Sequence, residues 1–200
     1  MECPGFDAIV RELRSMRKAD RVRDLSGHIQ NLLSQALSPE ELFGLRCELV
    51  GELRYHGRYS DAEAVLRGEV EREPSEPFHS LSLAEHFHYY DVDLPRSLEF
   101  VAEAIAKAKS DGKFLYQALG VQARLAIELQ NWPLLEATLR ELTSYNHTPG
   151  NVDVFPETDF LQRIPPGVVP ASVVGAYGRR VEYLRSTGYS TIYGAREPSA

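Results

Sequence analysis

The chain has 200 residues, a hydrophobic fraction of 43% and a formal net charge of −7 at pH 7. That much apolar side chain supports a packed core and excludes wholesale disorder, while the acidic balance repels phosphate backbones and disfavours nucleic acid as a partner. With only Cys3 and Cys47 present, a disulfide framework and a thiolate zinc site are both excluded.

The opening residues, Met1-Glu2-Cys3-Pro4-Gly5, lack a basic region followed by an apolar run, so no signal peptide is expected. No apolar stretch reaches the length of a membrane span. A cytoplasmic protein with no membrane partner is the expectation.

From Phe6 to Leu37 apolar residues recur at helical spacing. Ile9, Val10, Leu13 and Met16 make one stripe, and Leu25, Ile29, Leu32, Leu33 and Ala36 another. Arg11, Arg14, Arg17, Lys18, Arg21 and Arg23 gather here, with Glu12 and Asp20 among them. This basic stretch is read as a solvated helix face, the alternative being a docking site for an acidic partner. Residues 1–37 are read as a helix pair that caps a helical stack.

Ser38-Pro39-Glu40-Glu41 is a helix start: a capping serine, a proline at the first helical position and a glutamate that completes a capping box. The helix runs through Leu42, Leu45, Leu49 and Leu53 to about Tyr55, where Gly57 offers the positive φ that ends helices. Ser60-Asp61-Ala62-Glu63 reads as a second capping box, opening a return helix that turns Ala62, Val65, Leu66 and Val70 inward and stops at Pro74.

A second hairpin ascends through Leu81, Ala84, Phe87 and His88 and turns at Asp91-Val92-Asp93. It returns through Leu98, Val101, Ala102 and Ile105 to a break at Ser110-Asp111-Gly112. A third ascends through Leu115, Leu119, Ala123 and Ala126, turns at Gln130-Asn131, and descends through Leu135, Leu139 and Leu142 to Tyr145. The bulky residues after the three turns, Tyr59, Leu94 and Trp132, are spaced by 35 and 38 residues. Periods of this size mark stacked helical hairpins, which present a surface for another chain.

Residues 146–170 are broken by Pro149, Pro156, Pro165, Pro166 and Pro170 but keep Val152, Phe155, Phe160 and Ile164, so an extended segment lying against the stack is expected. A last helix over residues 171–187, with Val173, Val174, Tyr177, Val181 and Leu184 on one face, is expected to cover the open end of the third hairpin. Residues 188–200 are read as a frayed tail.

Residues 38–145 resemble the tetratricopeptide repeat (TPR) family. Leu49, Gly57, Tyr59, Ala62, Leu66 and Pro74 carry the resemblance in the first hairpin. The other two hairpins depart from the pattern: Ser97 and Leu135 stand where the family has a small alanine. The resemblance implies an all-α, right-handed solenoid of antiparallel helix pairs. In that fold the first helices line a concave groove for a peptide or helix of another protein.

Carried over residue by residue, the groove would take Cys47, Glu48, Gly51, Arg54 and Tyr55 from the first hairpin. The second would give His79, Ser82, Leu83, His86, Tyr89 and Tyr90, and the third Gln117, Gly120, Val121, Arg124, Ile127 and Glu128. The middle stripe is the most suggestive: His79, Ser82, His86, Tyr89 and Tyr90 put aromatic, donor-rich side chains on one face, and Arg54 and Arg124 flank them, tyrosine and arginine being residue types that bury large area while still hydrogen-bonding. The alternative is that residues 146–200 fill the groove themselves.

Chemistry finds little support. His86 and His88 point about 200° apart on a helix and cannot share an ion, so no metal is expected. No phosphate-binding glycine loop occurs, and no other cofactor is implied. Cys47 beside a groove histidine would be the only nucleophile pairing, and Glu48, Glu52 and Glu128 read as solvated carboxylates. The expectation is a non-catalytic interaction module: an adaptor, a dedicated chaperone or an inhibitor of immunity type. The alternatives are a small enzyme with a site between the hairpins and the proline-rich segment, or a subunit of a larger assembly.

Overall fold

A computed structural model describes residues 6–18, 22–34, 38–144 and 167–186. Every regular element among them is an α-helix. In chain order these are α1 (Phe6–Lys18), α2 (Val22–Leu33), α3 (Pro39–Tyr55), α4 (Tyr59–Arg72), α5 (Pro77–Tyr89), α6 (Leu94–Asp111), α7 (Leu115–Glu128), α8 (Trp132–Ser144) and α9 (Ala171–Ser186). The proline-rich stretch up to Pro166, Tyr145 and the tail lie outside the described residues. The chain divides into two compact units, Met1–Glu73 and Pro74–Ala200.

In the first unit the opening stripes are inside: Ile9, Leu13, Leu25, Ile29 and Leu32 are buried. The capping box that starts α3 forms: the Glu41 amide donates to Ser38 Oγ (3.2 Å), and the Ser38 amide donates to Glu41 Oε2 (2.8 Å). The second expected box does not form. Helix α4 begins two residues earlier, at Tyr59, with Arg58 as its N-cap and no side-chain cap. The Arg58 guanidinium binds Asp61 in the first turn of the helix (2.7 Å). Glu69 of α4 is buried and bridges Arg46 of α3 and Arg72 of its own helix.

The three hairpin turns share one backbone device. Gly57, Val92 and Gln130 have φ of 69°, 53° and 52°. Each lies two residues before Tyr59, Leu94 or Trp132, the first residue of a return helix. The turns close by amides reaching back into the preceding helix: Arg58 to Leu53 O (2.8 Å), Asp93 to Phe87 O (2.8 Å) and Asn131 to Ala126 O (2.7 Å). A left-handed residue satisfies the last helical carbonyls in this way.

The second unit has two connected cores. Leu81 and Ala84 of α5 pack with Val101, Ala104 and Ile105 of α6 and with Tyr116, Leu119 and Leu125 of α7. Ala104 and Ala108 face inward on α6, whereas Ala102, expected inside, is exposed. The buried Ser97 hydroxyl donates to Ala84 O (2.7 Å), tying α6 to α5. In the other core, Ala123, Ala126 and Ile127 of α7 meet Leu135 and Leu139 of α8 and Val173 and Ala176 of α9. The last helix thus packs on the third hairpin, with one correction. Val174 is exposed, and the inward face is Val173, Ala176 and Arg180.

Candidate partner-binding face

Helices α5 and α7 lie side by side, which fixes how their faces are used. Their shared boundary is marked by Leu81 of α5 in the core with α7 and by His88 Nε2, 2.8 and 2.9 Å from the two Glu128 oxygens. Glu128 sits in the last turn of α7, where the helix dipole disfavours a carboxylate. The hydrogen bond to His88 offsets that cost. Next to this pair, the Arg124 guanidinium lies 5.5 Å from the centre of the Tyr89 ring, and the His88 ring meets the same tyrosine at 4.2 Å between centroids.

The expected α5 stripe is displaced. His79, Leu83 and His86 are buried and do not present side chains to a partner. The side of α5 that stays accessible runs through Phe78, Ser82 and Glu85, all half-buried, to the exposed Tyr89. A shift of one position along a helix rotates the face by about 100°, so a register error of one residue exchanges a covered face for an open one. Ser82 and Tyr89 of the expected stripe lie on the accessible side, and Phe78 and Glu85 join them there. His86 has a supporting role, stacking on the Tyr90 ring at 5.8 Å.

On α7, Gln117 and Glu128 are exposed and Arg124 is half-buried. Gly120, Val121 and Ile127, expected on the same face, are buried. In the first unit Cys47, Gly51 and Tyr55 are exposed on α3, with Arg54 half-buried beside them. Tyr55 keeps 78% of its surface in solvent.

Although Cys47 as a residue is exposed, partial burial of its thiol pushes it up from the ordinary value, with Glu69 as the next cause. A thiol so placed stays protonated at neutral pH, the opposite of an activated nucleophile. Among the described residues no three His, Cys, Asp or Glu side chains converge as a metal site. No described helix is long and apolar enough to cross a membrane.

Sequence reasoning also missed Arg180. It is fully buried, donating Nη1 to Leu142 O at the end of α8 (2.6 Å) and Nη2 to Tyr116 Oη of α7 (3.3 Å). It lies near the Tyr116 and Tyr183 rings, 5.6 and 5.7 Å from their centres. An arginine in a helix of mixed polarity gives no local sign that it will be taken inside.

No protein-family model matches the sequence, and no curated protein matches it. A solved structure does: a Podosopora anserina protein described as a kinesin light chain with nearly identical TPR-like repeats. It aligns over 97% of this chain and 100% of its own, with a TM-score of 0.56 and 12% identity. The chain has a TPR-like fold. At that identity the likeness extends to the fold alone, and the faces of α3, α5 and α7 belong to this chain's own residues.

Proposed function

We propose that the chain is a non-catalytic protein-interaction module that holds a peptide or helix of another protein. Ser82, Tyr89, Gln117, Arg124 and Glu128 form the contact face in the second unit; Arg54 and Tyr55 of α3 offer a separate face within the first. The observation that carries this reading is the Tyr89–Arg124 pair on a TPR-like fold. A tyrosine ring already packed against His88, with the Arg124 guanidinium beside it, meets a partner with little further loss of side-chain entropy. The roles of adaptor, dedicated chaperone and immunity-type inhibitor all require such a face.

Affinity capture from the native host, with the full chain as bait, is the test. A partner recovered by the wild type is expected to be lost by the Tyr89→Ala/Arg124→Ala variant at unchanged helicity. Equal recovery by both would remove this face.

A further inference from the structure

Resting on the interaction-module reading, we propose that the turn edge formed by Tyr89, Tyr90, Asp91, Val92, Glu128 and Leu129 docks a basic, arginine- or lysine-rich segment of a partner protein. Four apolar or aromatic residues are exposed together at the ends of α5 and α7: Tyr89 by 49%, Tyr90 by 37%, Val92 by 71% and Leu129 by 37%. Scattered exposed apolar residues are ordinary, but a cluster on one edge marks an interaction surface. The hydrogen bond between His88 and Glu128 brings the two helix ends together.

Val92 carries the strongest sign. Its φ of 53° is costly for a β-branched side chain. The first hairpin meets the same backbone requirement with Gly57. Neither turn geometry nor solubility favours an exposed valine here, so fold stability does not explain the residue. Contact with a partner does. The turn is fixed, with the Tyr90 amide bonded to His86 O (3.0 Å) and the Asp93 amide to Phe87 O (2.8 Å). Its side chains are therefore presented in one arrangement.

Charge selects the occupant. Asp91 is exposed beside Tyr90, and Glu128 lies beside Leu129, so the apolar edge is flanked by carboxylates. Stacking on His86 holds the Tyr90 ring. The same unit already seats guanidinium groups over aromatic rings, Arg96 over Phe87 at 4.0 Å and Arg124 over Tyr89 at 5.5 Å. Tyr90 and its neighbour Asp91, both exposed, offer an arginine from outside a ring quadrupole and a carboxylate.

The test is a titration of the full chain with a capped hexa-arginine peptide, followed by backbone amide NMR and calorimetry. Shifts are expected at residues 89–93 and 128–129. Tyr90→Leu should weaken binding by about two- to fivefold, whereas Tyr90→Phe, which keeps the ring face, should change it by less than about twofold. Val92→Gly should keep or raise the Tm by relieving the left-handed valine, and still weaken binding. Glu136→Gln, on α8 and paired with Arg140, should leave binding unchanged.

Shifts spread over the whole surface, equal effects of Tyr90→Leu and Tyr90→Phe, or equally tight binding of hexa-glutamate would each overturn the proposal. So would a concentration-dependent dimer abolished by Val92→Gly, which would make a second copy the occupant. A captured partner that depends on Tyr89 and Arg124 but contacts this edge without basic residues would end this proposal and leave the interaction module standing.

Discussion

Ser97 and Leu135 are both fully buried, yet placing alanine at each should have very unequal consequences. Leu135 is fully buried in a cluster with Ala123, Ala126, Ile127, Leu139, Val173 and Ala176. Three of those neighbours are alanines on rigid helices, too short to move into the vacated space. Leu135→Ala therefore leaves most of its cavity open and should cost about 3–5 kcal/mol. At about 2–4 °C per kcal/mol, the Tm should fall by roughly 6–20 °C. Ser97 is also fully buried, but its hydroxyl donates to a carbonyl, Ala84 O, inside a continuous helix. That carbonyl keeps its helical partner after Ser97→Ala. Losing the hydroxyl bond costs about 0.5–1.5 kcal/mol, and alanine returns about 0.5 kcal/mol of helix propensity, leaving a net cost near 0–1 kcal/mol. Urea unfolding of the two variants and the wild type measures both. A Leu135→Ala cost below about 1.5 kcal/mol would mean that the cluster collapses to fill the site, contrary to the packing of three alanines around it. A Ser97→Ala cost exceeding that of Leu135→Ala would refute the account of the Ser97 bond.

Other consequences are open to measurement. Glu69→Ala strands the largely buried Arg46 and should destabilise the chain by about 2–4 kcal/mol in urea unfolding, with the half-exposed Arg72 adding little; a cost under about 0.5 kcal/mol would show that the bridge is a surface pair. Arg180→Met removes the bonds from α9 to Leu142 and Tyr116, so amide exchange in residues 171–186 should speed up by about tenfold or more while α5 and α6 hold their protection. Unchanged protection of α9 would show that Val173 and Ala176 alone dock it. Alkylation of Cys47 by iodoacetamide should reach half its maximal rate above the ordinary thiol range, and Glu69→Gln should lower that point. Because the folded thiol holds its proton more tightly than the unfolded one, its contribution to stability is complete below the ordinary thiol value and is lost as pH rises past it. A half-maximal pH below the ordinary range would contradict the burial of the sulfur.

Local chemistry made much of this chain legible before any coordinates. Ser38 and Glu41 cap α3 through bonds within four residues, Gly57 and Gly112 end helices by their own φ, and Pro74 follows the end of α4. The recurrence of Tyr59, Leu94 and Trp132 fixed the hairpin register, because each opens a return helix after the same left-handed turn. Even His88 was legible as an inward residue, from its place on the stripe with Leu81 and Ala84. Those features depend on neighbours along the chain, which a sequence contains in full.

Tertiary structure alone decided which sides of α5 are covered. Its residues are apolar or aromatic almost all round, so periodicity leaves the open flank undetermined, and the choice falls to whichever helices pack beside it. That placement buried His79 and His86 and left the line from Phe78 to Tyr89 partly exposed. It also took Arg180 into the core, where a carbonyl thirty-eight residues earlier in the chain and a tyrosine hydroxyl sixty-four residues earlier receive its donors. Exposure is a property of the neighbours a helix acquires, and no spacing within one helix records who those neighbours are.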